Sequence, residues 1–419
     1  MKVNKKINIL YISHSPFYNG AEISLLNILK NINRSIFEPF VAFPGSGPLM
    51  EEIRKMGIKT FVLKIERWIR FESDRQIKGS VIQQRVQNII EIIENNSIDI
   101  VHTNTSVIIE GAIAAKLKNK PHFWHIHEFL PKYTELKTFL PIPVIYKLID
   151  YLSDIVITVS NYAASQFNES ILASKIKIVY NGVEEIWKNI DKDELKSEVK
   201  NKIHETAFSV LSVGYLTENK GYKEWLETAN IVRNTIPNIK FNWIGNANKK
   251  DLKFFRRIIR LLKLKNIVEY KGFSDDIKFH LTNSDILLCA SRNEAFPMII
   301  LEAMSSKLPV IATCCGGTNE SVINNETGFM VPINSPSEMS KKIIELYHNQ
   351  ELRNSFGENG FRLFKSKFEI KIVIEEIEKL YHQVVFDCDS NSISEVDKNL
   401  IKSLFESYDK ISNLHWKSM

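Results

Sequence analysis

Between Ser291 and Val331 the chain places acids, glycines and a helix start at spacings that can do chemistry. Glu294 and Glu302 have seven residues between them, and a Gly316-Gly317 pair is followed by Glu320. Asp285 to Ala290 (DILLCA) reads as a buried strand and Pro297 to Ser306 as a helix with Pro in its first turn. Glu294 then falls in the connecting loop, and Glu302 lies just over one turn inside the helix. In open parallel sheets ligands collect at the carboxyl ends of strands, and a helix start offers free N–H groups and partial positive charge to an anion. Ala295, Phe296, Pro297 and Met298 are therefore candidates to hold a phosphate or a sugar. A carboxylate accepts but does not donate, so Glu302 suits a pair of vicinal hydroxyls, as on a ribose, and Glu294 suits a sugar. The same letters also fit two ordinary glutamates, one in a loop and one on a helix face.

The elements that must position these groups alternate along the whole chain. INILYI, EPFVAF, IKTFVL, IDIVHT, PHFWHIH, DIVITVS and KIKIVY come first, each followed by a helical pattern. After a charged, apolar-poor stretch (DKDELKSEVKNK) the alternation restarts with FSVLSVG, IKFNWIG, NIVEYKGF, DILLCAS and PVIAT. Strand–helix alternation implies parallel sheets with helices on both faces, here as two similar α/β halves with a cleft between them. A chain of 419 residues, 44% hydrophobic, can bury about three quarters of its unfolded surface in two such domains.

Composition narrows the classes further. The apolar runs are far shorter than the roughly 20 residues of a membrane span. Met1 to Ile12 sets basic residues before an apolar run, as a signal peptide does, but the run is short and polar residues follow. It reads as the first strand of a cytoplasmic protein. Cys289, Cys314, Cys315 and Cys388 form no zinc spacing and read as reduced thiols. A formal charge of +6, from 55 basic and 49 acidic residues, argues against nucleic acid as a partner and suits an anionic ligand or a weak membrane-surface contact.

The central stretch resembles the donor-binding signature of the retaining glycosyltransferases of family 4. The resemblance is carried by Ser291, Arg292, Glu294, Phe296, Leu301-Glu302-Ala303-Met304, Pro309-Val310-Ile311-Ala312-Thr313, Gly316-Gly317, Glu320 and Gly328. It implies the GT-B fold: an α/β protein of two Rossmann-like, doubly wound parallel-sheet domains facing across a cleft. The implied parts are an acceptor-binding domain over 1–184, a linker over 185–206 and a nucleotide-sugar-binding domain over 207–365. A helix over 366–386 would cross back to the first domain, and 387–419 forms an extension beyond the resemblance, patterned as an amphipathic helix.

The resemblance also implies roles. In SHSPFYNGAEISLL, Gly20-Ala21-Glu22 matches a Gly-rich loop beside the donor phosphates, with Asn19 where the family has a first Gly. VGYLTENKG makes Lys220 the candidate cation for the diphosphate, with Tyr215 in place of the family's Arg and Arg292 as a base that could compensate. In PHFWHIHEF, His127 matches a family histidine close to the donor sugar. Catalytic roles thus fall to His127 and Glu294, and donor binding to Gly20, Lys220, Arg292, Ala295, Phe296, Pro297, Met298 and Glu302. No metal and no cofactor are implied beyond the nucleotide-sugar itself, and the acceptor is a glycan or lipid-linked saccharide. The mechanism implied is front-face attack in which the departing phosphate takes the acceptor proton.

Rival readings stay open. A nucleotide-sugar epimerase would share the architecture, and a non-catalytic sugar-binding relative would explain the departures at Asn19, Tyr215, Ala295, Pro297 and Lys307. Asp387-Cys388-Asp389 is a literal Asp-x-Asp with no strand before it, and Asp275-Asp276 reads as a helix cap. Lys249 to Lys265 carries eight Lys/Arg and one Asp on a helical pattern, favouring a solvated outer face over a membrane patch. Arg67-Trp68-Ile69-Arg70-Phe71 is the better candidate for peripheral contact with the inner membrane surface. The abundance of Asn, Ile and Lys hints at a bacterial surface-polysaccharide pathway. The acceptor loops, around Trp68 and from Leu130 to Leu140, carry the least readable signal.

Overall fold

Strands buried on both faces need no polar alternation, and Ile155–Thr158 (IVIT) is buried at all four positions. The computed structural model describes residues 5–65, 67–71, 79–130, 136–138, 140–167, 170–186, 207–387 and 394–415. The chain divides into two units, Met1–Tyr180 with Val373–Met419, and Asn181–Ile372.

The first half supplies β1 (Ile7–Ile12), α1 (Gly20–Asn31), β2 (Phe37–Phe43), α2 (Pro48–Lys55), β3 (Lys59–Val62), β4 (Ile69–Phe71), α3 (Gly79–Asn95), β5 (Ile100–Thr103), α4 (Glu110–Leu117), β6 (His122–Ile126), β7 (Leu136–Thr138), α5 (Ile142–Leu152), β8 (Ile155–Thr158), α6 (Asn161–Ser165) and β9 (Ile176–Ile178). Seven of these strands form one sheet in the order β3-β2-β1-β5-β6-β8-β9, with every pairing parallel. The order reverses between β1 and β5, which creates a crevice beyond their carboxyl ends.

The second unit supplies β10 (Ser209–Val213), α7 (Tyr222–Val232), β11 (Lys240–Ile244), α8 (Lys249–Leu261), β12 (Val268–Gly272), α9 (Ile277–Thr282), β13 (Ile286–Cys289), α10 (Met298–Ser305), β14 (Val310–Thr313), α11 (Thr318–Ser321), β15 (Gly328–Val331), α12 (Pro336–His348) and α13 (Gln350–Lys367). Its six strands are parallel in the order β12-β11-β10-β13-β14-β15, with the reversal between β10 and β13. Asp276 caps α9 by accepting a hydrogen bond from the Phe279 amide. The chain then runs through α14 (Ile370–Asp387), most of which belongs to the first unit, and ends in α15 (Glu395–His415). Ile401 and Phe405 of α15 join the core formed by Ile82, Val86 and Ile89 of α3, and Asp397 accepts a hydrogen bond from Tyr151 of α5.

The stretch Arg67 to Phe71 corrects an expectation. Trp68 is 3% exposed and Ile69 fully buried. The Trp68 Nε1 donates to the Ser106 carbonyl at 2.7 Å, and its ring stacks on Trp124 at 6.2 Å. The aromatic that reads as an interfacial anchor is a core residue whose one polar atom already has a buried acceptor. No described helix is long and apolar enough to cross a membrane. The linker assignment from residue 187 to 206, most of the 131–139 loop, and Cys388-Asp389 lie outside the described residues.

One face of the first sheet is polar in a way its letters do not announce. His102 Nδ1 lies 2.7 Å from the Tyr381 hydroxyl of α14, which itself lies 3.2 Å from that of Tyr11. His125 packs edge-on against His102 and stacks on His127. On the opposite face His122 Nε2 meets Thr103 Oγ1 at 2.8 Å. Burial drives His102 and His122 down to about 3 and His125 well below the ordinary range, so all three are held neutral.

Candidate active site

In the second unit the site is built where the sheet order reverses. β13 ends at Cys289, the chain turns through Ala290 to Phe296, and α10 starts after Pro297, whose φ of −78° and ψ of 114° make it the cap. Pro297 has no amide hydrogen, which narrows the expectation that Ala295 to Met298 all donate: α10 itself begins its donors at Met298. Ala295, Phe296 and Pro297 are buried and Met298 is half-buried. The Asn181 amide donates to the Phe296 carbonyl at 3.3 Å.

Two loops are fastened beside this turn. The Arg292 amide donates to the Asn219 carbonyl at 2.7 Å, and Asn219 Nδ2 donates to the Asn293 carbonyl at 3.0 Å. That pairing sets Lys220 over the end of β13, where its Nζ lies 2.5 Å from Glu294 Oε1. Ser291 Oγ donates to the same carboxylate oxygen at 2.7 Å. Lys220, Ser291 and Glu294 line a narrow pocket floored by Trp243 and Ile299. Arg292 is turned the other way, onto Glu224 of α7, with its Nε making no hydrogen bond among the described residues. Tyr215, 47% exposed, follows β10 without joining this cluster's hydrogen bonds.

Glycines permit the fastening. Gly221 has φ +70°, and a Cβ there would come within 1.9 Å of the Ala290 carbonyl oxygen; at Gly317 the clash is 1.8 Å with Ala295 O. Gly317 also donates its amide to the Glu294 carbonyl at 2.9 Å. Gly221→Ala is expected to destabilise the protein by about 2–4 kcal/mol, since it combines left-handed backbone strain with overpacking. Urea unfolding measures this, and a change below about 0.5 kcal/mol would show that the two loops separate freely.

Glu302 stands apart from the ion pairs. It occupies the fifth position of α10, half-buried, and its carboxyl makes no hydrogen bond or ion pair among the described residues. Burial alone pushes it up to about 7. A carboxylate placed against protein without a partner is costly, so the site is poised for a ligand that donates hydrogen bonds to it.

In the first unit the corresponding edge gathers Gly20 and His127. Gly20 opens α1, and a Cβ there would meet nothing within 4 Å, so packing does not demand glycine at that position. Asn104, just past β5, donates its Nδ2 to the Ala21 carbonyl at 2.9 Å and presents Oδ1 to His127 Nε2 at 3.2 Å. The amide orientation fixed by Ala21 therefore places the proton on Nε2 and leaves Nδ1 as an acceptor. Burial, with His125 and His14 adding to it, holds His127 well below the ordinary range and hence neutral. Its neighbour Glu128 accepts hydrogen bonds from Thr105 Oγ1, Ser106 N and Oγ, and His127 N, at 2.5 to 3.2 Å. Glu22 is fully buried, with Ser13 Oγ and His14 Nδ1 at 3.0 and 2.8 Å from its Oε1.

Asn104, Glu128, Ser291 and Asn219 carry no role in the sequence reading. All four follow or precede strand ends, and the polar run Asn104-Thr105-Ser106 directly after IDIVHT was a usable signal. Among the described residues no group of three or more His, Cys, Asp or Glu could hold a metal ion.

The family profile Glycosyltransferase Family 4 matches residues 18–185, and Glycosyl transferases group 1 matches 193–363. An uncharacterized glycosyltransferase of Methanocaldococcus jannaschii is 30% identical over 302 residues, covering 70% of this chain and 78% of that one. The UDP-Gal:alpha-D-GlcNAc-diphosphoundecaprenol alpha-1,3-galactosyltransferase of Escherichia coli is 25% identical, covering 91% of this chain and 98% of that one. The crystal structure of Anabaena HepE in complex with UDP-glucose superposes with a TM-score of 0.76 at 21% identity, over 90% of this chain and 100% of that one.

Proposed function

The chain belongs to glycosyltransferase family 4 and is a glycosyltransferase of GT-B fold, and from that premise we propose a retaining transfer of a hexose from a UDP-sugar to a glycan or lipid-linked saccharide. The observation that carries the reading is Glu302, a half-buried carboxyl without a partner among the described residues, on the helix that opens at the sheet reversal. The ribose diol of a nucleotide is a matched pair of donors for it. HepE's complex with UDP-glucose and the UDP-Gal donor named for the E. coli enzyme support uridine as the base.

The roles follow from chemistry. Lys220 and the start of α10 neutralise the diphosphate, and a diphosphate that draws Lys220 away frees Glu294 to accept from sugar hydroxyls. Ala295 and Phe296 shape the sugar's seat, Arg292 adds positive potential, and Gly20 lets the backbone approach the phosphates. His127 accepts a hydrogen bond from a sugar hydroxyl at Nδ1. The bond from C1 to the diphosphate breaks as the acceptor oxygen bonds C1 on the same face, and the acceptor proton passes to the departing phosphate oxygen. Neither a side-chain base nor a metal ion takes part. The acceptor named for the E. coli relative supports a lipid-linked substrate, and on this reading the reaction takes place at the cytoplasmic face of a membrane in bacterial surface-polysaccharide assembly.

Because the ribose needs the ionised form of Glu302, donor affinity is expected to rise with pH up to about 7 and then level off. Between pH 8 and pH 6 the loss is about tenfold, one pKa unit of protonation cost. Calorimetric titration across that range checks it, and Glu302→Gln should flatten the profile; an unchanged slope in the variant would assign the titration elsewhere.

Retention is tested without the acceptor. Slow hydrolysis of a UDP-α-hexose, followed by proton NMR, should release the α-sugar before it mutarotates. Initial release of the β-sugar would contradict retention, and conversion of the donor to its epimer would identify an epimerase.

A further inference from the structure

Helix α8 and the turn after it carry Lys249, Lys250, Lys253, Arg256, Arg257, Arg260, Lys263 and Lys265, and all eight are exposed. None forms an ion pair with a described residue. The single acid of the stretch, Asp251, is held by Asn248 at the helix start. Elsewhere on the same unit surface lysines do find acids: Lys341 pairs with Glu338, Lys342 with Glu345, and Lys307 with Glu358. On α8 that neutralisation is missing.

The arrangement is also ordered. At 3.6 residues per turn, Lys249, Lys253, Arg256 and Arg260 form one stripe, and Lys250, Phe254, Arg257 and Leu261 form the next. Phe254 is 40% and Leu261 69% exposed, while Phe255 on the opposite side is fully buried. Lys223 of α7 lies 5.2 Å from the Phe254 ring and is itself paired with Glu218, so the unneutralised bases are those of α8 alone. The outer face thus sets two large apolar side chains among unneutralised bases.

We propose that this face of α8 docks the protein on an anionic phospholipid surface. Lysine and arginine near such a surface are attracted by its negative potential, and apolar side chains gain by entering the boundary between headgroups and acyl chains. A nucleic acid or acidic polymer would match the bases but offers nothing to Phe254 and Leu261. The surface lies outside the donor pocket, so the docking stands independently of the transfer reaction.

The test is co-sedimentation of the full chain with phosphatidylcholine vesicles, with and without about one third phosphatidylglycerol. Binding is expected only to the anionic vesicles and should weaken with salt. Lys253→Glu with Arg257→Glu should reduce partitioning by about thirtyfold or more. Phe254→Ser with Leu261→Ser should reduce vesicle binding while leaving binding to a duplex RNA unchanged. Circular dichroism melting at the wild-type temperature shows that each variant is folded, and the second pair serves if the first is not. Equal binding to neutral vesicles, or vesicle binding untouched by either pair, would overturn the proposal. So would binding to the RNA but not to the anionic vesicles.

Discussion

Lys220→Ala is expected to lower turnover by about 10²–10³-fold while weakening donor binding much less. The reason is where charge develops. In the ground state the diphosphate carries its charge in partial contact with water, whereas in the transition state the bond to C1 breaks and the leaving oxygen becomes more anionic. A cation fixed in advance beside that oxygen stabilises the second state more than the first. Lys220 is anchored for that role: its backbone is strapped over β13 by the Asn219–Arg292 and Asn219–Asn293 hydrogen bonds, so its Nζ passes from Glu294 to the leaving oxygen without the loop moving. Lys220→Arg restores charge but not the compact ammonium, and partial recovery is expected. Steady-state kinetics with a UDP-sugar check the split. A purely structural lysine would instead leave turnover within a few-fold and lower the melting temperature, because Glu294 would lose its counter-charge.

The second large effect is on stability, and it belongs to the first unit. His102 and His122, fully or almost fully buried, titrate near 3 in the folded protein, against about 6.5 for an unfolded histidine. The folded state therefore binds fewer protons than the unfolded state between those values. Their contribution is fully present above pH 6.5 and is lost progressively as pH falls toward 3, at about 2 kcal/mol for each by pH 5. His125, whose ring nitrogens make no hydrogen bond among the described residues, shifts in the same direction. The roughly 4 kcal/mol from His102 and His122 together approaches the whole stability of a typical domain. In the second unit the described residues include His280, which burial shifts downward while it lies partly exposed near the surface. Hydrogen exchange read by mass spectrometry at pH 5 and 7 should show protection falling first in β5 and β6. Earlier loss in β10 and β13 would contradict the assignment.

Much of this was legible in the letters because its causes are local. INILYI became Ile7–Ile12 residue for residue, since a run apolar on both faces suits the interior of a parallel sheet and little else. The helix carrying Glu302 was visible from Pro297 and the LEAM run. What was missed depends on residues far apart or on elements too short to show a period. Gly328–Val331 and the β4–β7 ribbon are only three or four residues long. Trp68 reads as an interfacial anchor and is buried, whereas the bases of α8 are exposed as their pattern suggests, because an aromatic among bases shows its chemistry in the letters but not its exposure. The Lys220–Glu294 pair spans 74 positions, and nothing at either position signals the other. Pro297 is a simpler case: a proline cannot donate, so the donor set around it was always smaller than its span.

On the proposed function, a nucleotide-sugar binds in the second unit with its ribose on Glu302. Isothermal titration of UDP-glucose and UDP-galactose into the wild-type protein and Glu302→Ala at pH 8 tests it most directly. Saturable binding of at least one UDP-sugar to the wild type is expected, with a loss of roughly 30-fold or more in the variant, in keeping with removal of hydrogen bonds to a charged group. Equal affinity in the two proteins would show that the ribose does not rest on Glu302 and that the donor binds elsewhere.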